Sequence, residues 1–249
     1  MELSLVIDQR FASYLPIGSV TLIKYTSRFM GIPLGVFAVA FSTILLPHFS
    51  KIHLTDPKRL HFYLNESMKF VFWVTIPATI IMGYLSEDIF ITLFASSSSK
   101  FPTSLIPEAG QLLMTFLSGL FFFSINKILF NLYYSFHDTK IPTIIAALAT
   151  IVNIISNYAL VDNFGTIGLA AGTCSSGIVQ TYLSLFFLKK IHKFNIDIKG
   201  FFKFIQKYFI QLLIVFIPGY FIYKICLKLV TKACLYNSMA SPRWPVSAK

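Results

Sequence analysis

Apolar residues in this chain fall in long unbroken blocks rather than alternating with polar ones, which is the pattern of helices surrounded by apolar matter. Five blocks approach or exceed the ~20 residues that an α-helix needs to cross a bilayer. They run over 19–46, 70–85, 112–134, 143–161 and 167–188. The block at 70–85 is short, so its helix is expected to begin earlier, near Leu60. A sixth block, 208–230, ends among scattered lysines. Ahead of them all, 3–15 is too short and too charged (Asp8, Arg10) for a complete span and reads as the tail of a helix whose start is missing.

The segments between blocks carry turn chemistry. LPIGS (15–19) is a Pro/Gly turn with Ser19 placed to cap the next helix, and TDPKR (55–59) opens a helix with Pro57 in its first turn. HDTKIP (137–142) and DNFGT (162–166) are tight connections. SSSSKFPTS (96–104) is a polar loop, preceded by EDIFITLF, which reads as an interfacial segment. The predicted fold is all-α: a polytopic transmembrane helix bundle of about six spans plus a partial first helix.

Composition strengthens the membrane reading. Of 249 residues, 55% are hydrophobic and only 12% charged, against about 25% charged in soluble domains. The 21 Lys and Arg exceed the 10 Asp and Glu by 11. In a soluble chain that excess would suggest nucleic acid; here it reads as loop charge on one side of a membrane. Lys51, Lys58 and Arg59, then Lys140, then the lysines from Lys189 to Lys207 occupy alternate connections, while the others carry only Lys100. The lysine-rich side is therefore expected to be cytoplasmic. A crossing at 208–230 would put the cations of the C-terminal tail on the wrong side, so either that segment does not cross or the tail is foreign to the fold. Cys174, Cys226 and Cys234 have no metal-ligand spacing and read as apolar fillers.

A charge at mid-bilayer is expensive, about 2.5–3.5 kcal/mol on insertion scales, so polar groups inside the blocks are candidates for function. Lys24 lies near the start of its helix, where its stem can snorkel to the interface. Arg28 lies about 14 Å deep at ~1.5 Å per residue, and its repulsion with Lys24 one turn away is relieved by a shared anion or a watery cavity. Lys127 sits between Asn126 and Asn131, two turns from the cytoplasmic end, and snorkelling is open to it as well. Glu66 and Lys69 form an interfacial pair, and Asn153 with Asn157 an amide pair suited to joining helices. Gly31 with Pro33, and Pro77, are expected to kink or gate their helices, since proline removes a backbone hydrogen bond. Cations beside bent helices, with no acidic partners, suggest a site for something negative such as a phosphate. No HExxH, GxSxG, P-loop or paired-acid pattern appears. The expectation is no enzyme, no catalytic residue, no metal, no cofactor and no nucleic-acid partner.

Three stretches carry a resemblance. They are DQRFASYLPIGSVTLIKYTSRFMGIPLGVFAVAFSTILLPHFSK, KILFNLYYSFHDTKIP and NFGTIGLAAGTCSSGIVQTYLSLFFLKK. Together they resemble the C-terminal half of the MurJ/MviN lipid II flippase family in the MOP exporter superfamily, from about residue 5 to residue 193. The resemblance implies one lobe of a two-lobe transporter in the bacterial inner membrane, whose central cationic cavity accepts an undecaprenyl-pyrophosphate headgroup. It implies lipid partners and a separate N-terminal lobe, without which the chain is incomplete. Arg28 matches the family's cavity arginine, and Lys127 the lysine ahead of an aromatic motif; Asp138 and Lys140 match a cytoplasmic D-T-K turn. Two departures stand out: Ser27 and Gly31 replace the family's acids beside the arginine. The domain reading is a lobe over 1–199, a further hydrophobic helix over 200–234 and an aberrant, disordered tail over 235–249. Two alternatives stay open: a truncated, non-transporting product, and half of a related polyprenyl-linked oligosaccharide exporter.

Overall fold

The computed structural model describes residues 2–94, 102–192, 194, 199–214, 218 and 224, with residues 2, 53–55 and 57 described by backbone only. Most of the expected polar loop at 96–104, most of the block at 208–230 and the whole tail at 235–249 lie outside the described residues. The chain divides into two compact units, Met1–Asp197 and Ile198–Lys249. In the second, 199–214 is helical, with the Phe204 and Tyr208 rings stacked 6.0 Å apart.

The first unit is a bundle of α1 (Glu2–Ala12), α2 (Ser19–Pro33), α3 (Ala40–Thr55), α4 (Pro57–Tyr84), α5 (Ser86–Phe94), α6 (Ile106–Ser118), α7 (Leu120–Ser135) and α8 (Lys140–Ile191). Helices 19–52, 58–84 and 140–191 are long and apolar enough to cross a membrane, and α6 with α7 is apolar enough as a bent pair. α6 and α7 lie at the centre: α6 packs on α2, α4, α5 and α8, and α7 on α3, α4 and α8. Leu112, Leu113, Phe116, Leu117 and Leu120 are accordingly fully buried.

Local chemistry accounts for the boundaries. Asp56 caps α4, its Oδ1 accepting from the amides of Lys58 (3.0 Å) and Arg59 (3.3 Å), and Pro57 takes the first position, where its missing N–H is not needed. At the start of α2 the cap differs from the expectation. Gly18 occupies it at φ 107°, with no side-chain cap bond, and the Ser19 hydroxyl instead donates backward to the Pro16 carbonyl at 2.8 Å. A serine cap needs extended backbone, which a left-handed Gly18 turn does not supply one residue later. The block at 112–134 is not one helix: it breaks at Gly119 and bends by 40°. The bend brings Cys174 against Gly119, where a Cβ would meet the thiol sulfur at 2.7 Å. EDIFITLF is helical. It forms α5, and Phe90 is fully buried in the central core with Phe29 5.1 Å away.

Pro33 cannot donate to the Phe29 carbonyl, and its ring crowds that oxygen. The chain answers with a wide π-helical turn over Leu34–Val39 before α3 resumes. Pro77 and Pro47 lie inside α4 and α3, which stay helical across both. The 52-residue α8 reverses at Gly165, whose φ of 55° and ψ of −130° are not helical; a side chain is strained there. The halves 140–164 and 166–191 then lie side by side, with Ser175 Oγ donating to Ser156 Oγ at 3.0 Å.

The unit's two ends are distinct. At one, His61 of α4 stacks on Phe194 (3.6 Å), and His192 stacks on Phe136 (4.4 Å). This gathers the α3–α4 turn, the α7–α8 turn and the end of α8, the connections rich in lysine. At the other end Leu105 touches Gly18, and the Thr166 hydroxyl donates to Glu108 Oε1 at 2.6 Å.

Candidate functional site

Lys24 and Arg28 stand one turn apart on α2. Both side chains are exposed, and among the described residues neither has an ion-pair or hydrogen-bond partner. Ser27 bonds only to its own helix, its hydroxyl donating to the Lys24 carbonyl at 3.1 Å. Gly31 continues this side of α2, and a Cβ there would meet nothing within 4 Å. The opposite side of α2 is buried through Leu22, Ile23, Thr26 and Met30. The sequence therefore packs an apolar stripe on α6 and leaves a cationic stripe uncovered among the described residues. Two uncompensated cations on adjacent turns attract an anion with more than one charged oxygen, each charge-assisted hydrogen bond being about twice as strong as a neutral one.

Lys127 is not part of that stripe. It is half-buried on α7 and lines a cavity of 220 Å³ with residues of α1 and α8, which neither Lys24 nor Arg28 borders. Its polar neighbours hold helices together: Asn126 Nδ2 donates to the Gly177 carbonyl at 3.1 Å, and Asn131 Nδ2 to the Ser42 carbonyl.

At the α7–α8 turn, His137 takes a left-handed φ of 56°. Asp138 Oδ1 accepts from the Ile141 amide at 3.2 Å, starting α8, and its Oδ2 lies 3.4 Å from His192 Nε2. Lys140 is exposed at the first residue of that helix. Glu66 and Lys69 pair at 2.6 Å.

Among the described residues one charged side chain is fully buried, and it belongs to the segment too short and too charged for a complete span. Asp8, on α1, has no exposure at all. Asn157 Nδ2 donates to its Oδ1 at 2.8 Å, Asn153 Nδ2 to the same oxygen at 3.3 Å, and the Thr173 hydroxyl to its Oδ2. Asn153 Nδ2 also donates to Thr173 Oγ1 at 3.0 Å, which closes the network. The Asn153–Asn157 pair thus joins α8 to α1. Gly172 makes room for it, since a Cβ there would collide with Asn157 Oδ1. The amide oxygens of Asn153 and Asn157 are buried without hydrogen-bond partners. Asp8 itself has no cationic partner among the described residues. A carboxylate in such surroundings is neutralised by a proton or by a small cation that oxygen atoms can ligate. One signal for this site was in the sequence: two amides four residues apart inside an otherwise apolar block.

Comparison with known proteins agrees with this architecture. The family model described as lipid II flippase MurJ matches residues 1–240. A probable lipid II flippase MurJ of Vibrio cholerae is 30% identical over 183 residues, covering 73% of this chain and 34% of that protein. The lipid II flippase MurJ of Thermosipho africanus is 28% identical over 198 residues, covering 80% of this chain and 39% of the relative. A solved structure of lipid II flippase MurJ in an inward closed conformation superposes with a TM-score of 0.74 at 26% identity, covering 95% of this chain and 51% of its own. The chain therefore spans about a third to two-fifths of the length of the curated relatives it matches. With helices of this length and apolarity, it is a membrane protein, and it belongs to the lipid II flippase MurJ family.

Proposed function

We propose that this chain forms one lobe of a transporter for a polyprenyl-pyrophosphate-linked peptidoglycan precursor, in the bacterial inner membrane with its lysine-rich end in the cytoplasm. The observation that supports it most is the uncovered stripe of Lys24 and Arg28, two cations without acidic partners on the turns leading to Pro33. A pyrophosphate offers several charged oxygens to such a stripe, and binding it removes the repulsion between the two side chains. A second lobe facing the stripe would complete the cavity wall. Lys127 stands apart from this surface, on the cavity shared by α1, α7 and α8. Residues 1–199 form the lobe, and Asp8 with Asn153, Asn157 and Thr173 holds the cation or proton whose arrival and departure accompany the lobe's change of shape.

Binding of undecaprenyl pyrophosphate to the purified chain in detergent, measured by native mass spectrometry, tests the reading. Combining Lys24→Ala with Arg28→Ala removes two charge-assisted contacts worth about 1.5–3 kcal/mol each. Affinity falls by at least about tenfold, while a neutral polyprenol binds as before. Equal binding of the lipid pyrophosphate to both proteins would refute the assignment.

A further inference from the structure

The cavity beside Lys127 borders the Asp8 network, because Thr173 belongs to both. Its polar lining comes from Ser4 on α1, Lys127 on α7, and Thr150, Thr173, Ser176 and Gln180 on α8. Each element places this lining on the same side of Asp8. α1 runs towards the turn at 13–18, away from the lysine-rich end, so Ser4 lies one turn nearer that end than Asp8. Thr150 stands nearer the Lys140 end than Asn153, and Ser176 and Gln180 stand nearer Ile191 than Thr173. The cavity therefore extends from the network towards the lysine-rich end.

A second cavity, of 60 Å³, continues the path. It is lined by Phe123, Asn126, Lys127, Phe130 and Gln180. Phe123, Lys127 and Gln180 border both spaces, and Lys127 and Gln180 are the polar side chains at the neck between them. A water occupies roughly 30 Å³ of liquid, so the larger space takes several waters. On the other side the network is closed. Ala12, Leu169 and Ala170 are fully buried, and the Phe11 and Tyr158 rings meet edge to face at 4.9 Å. The cavity at the far end, beside Leu15, Leu105, Glu108 and Thr166, shares no lining residue with the network.

We propose that these two cavities are the route by which a small monovalent cation reaches Asp8 from the lysine-rich side, and that Lys127 at their neck is the electrostatic barrier on that route. Lys127 has no acidic partner among the described residues, so its charge is not cancelled locally. A fixed positive charge beside a narrow polar passage raises the energy of any cation in it and lowers that of an anion. Lys127 then sets how fast the Asp8 site exchanges with the cytoplasm, and does not join Arg28 in holding the pyrophosphate. This rests on the reading of Asp8 as a site of cation or proton binding.

The test uses the full chain in vesicles, with Cys174→Ala, Cys226→Ala and Cys234→Ala removing the native thiols. Single substitutions Ser176→Cys and Gln180→Cys are labelled from either side with membrane-impermeant thiosulfonates, one a trimethylammonium and one a sulfonate. Both sites react from the lysine-rich side, Gln180→Cys the faster. Adding Lys127→Gln raises the ratio of the cationic to the anionic rate about tenfold, and Lys127→Arg restores it. A merely structural role for Lys127 would move both rates together. If Ser176→Cys, at a buried position, does not elute as a folded protein, the half-buried Gln180→Cys carries the charge comparison alone. Labelling from the opposite side only, no labelling at either site, or an unchanged ratio overturns the proposal. Raising sodium at fixed pH, then lowering pH without sodium, identifies the ion. Lower pH slows thiosulfonate attack in every variant by protonating the target thiol, so the ion that slows labelling more in the parent than with Asp8→Asn is the cation carried. If neither does, Asp8 is not where the route ends and the proposal falls. Failure of the pyrophosphate-lipid assay would leave these rates where they are, so the two readings are separable.

Discussion

Two glycines of this chain look alike in the sequence and should respond to alanine in opposite ways. At Gly172 a Cβ would collide with Asn157 Oδ1 and press on its Cγ at 3.3 Å and its backbone nitrogen at 3.4 Å. Asn157 is fully buried and cannot swing aside without leaving Asp8, to which it donates at 2.8 Å. Gly172→Ala therefore forfeits a hydrogen bond to a charged group, about 1.5–3 kcal/mol. It adds about 1–3 kcal/mol of overpacking and recovers up to ~1 kcal/mol of helix propensity. The expected net loss is about 2–4 kcal/mol. At Gly31 nothing lies within 4 Å of the added carbon, so Gly31→Ala is neutral or stabilising by up to ~1 kcal/mol. Unfolding of the purified chain by sodium dodecyl sulfate in mixed micelles, followed by circular dichroism, measures both. The cycle with Asn157→Ala adds the decisive number: the double variant is expected to lose clearly less than the two single losses together, because the clash has gone. Additive losses, or a Gly172→Ala as stable as Gly31→Ala, would refute the reasoning.

Other expectations follow from the same contacts. Asp8→Ala strands three buried donor groups and is expected to lose about 2–4 kcal/mol in the same titration; Asp8→Asn, which keeps an acceptor oxygen, loses less, and equal losses would argue against the network. Asp138→Ala removes the acceptor at the start of α8 and the contact to His192, so about 1–2 kcal/mol is lost and hydrogen exchange at Ile141 quickens. Arg28→Ala should leave stability within about 0.5 kcal/mol, since its side chain is exposed and unpaired among the described residues, while pyrophosphate-lipid binding drops.

The features legible in the sequence were those made by neighbours. Pro57 after Asp56 announced the start of α4, DNFGT announced the reversal at Gly165, and Glu66 with Lys69 announced a pair within one turn. What escaped depended on distant partners. Asp8 looked like a flaw in a span because its donors lie 145 to 165 residues away along the chain. The crowding at Gly119 was hidden for the same reason in part, since besides Phe123 it comes from Cys174, 55 residues further on. For the same reason the burial of Phe90 could not be read: its partner, Phe29, belongs to α2. Of the candidate site, the cations could be named from their depth, but the grouping could not. That Lys127 borders a different space from Lys24 and Arg28 is a property of how α1, α7 and α8 meet.

The wide turn at Leu34–Val39 has a consequence for helical phase. Leu22, Thr26, Met30, Leu34, Ala38 and Ser42 are all buried, a repeat of four. On a straight α-helix, at about 100° per residue, each step of four overshoots by ~40°. Five such steps would carry the stripe past the back of the helix, out of contact with its neighbours. The wide turn advances less per residue and takes up about half of that drift, the ~100° of one residue, so Leu34, Ala38 and Ser42 stay buried where a straight helix would have turned them outward. Deleting one residue from 34–39 would cancel that correction. It would turn everything beyond by about a quarter of a revolution, rotating the buried Leu45 and Phe49 off the bundle while Lys24 and Arg28 stayed where they are.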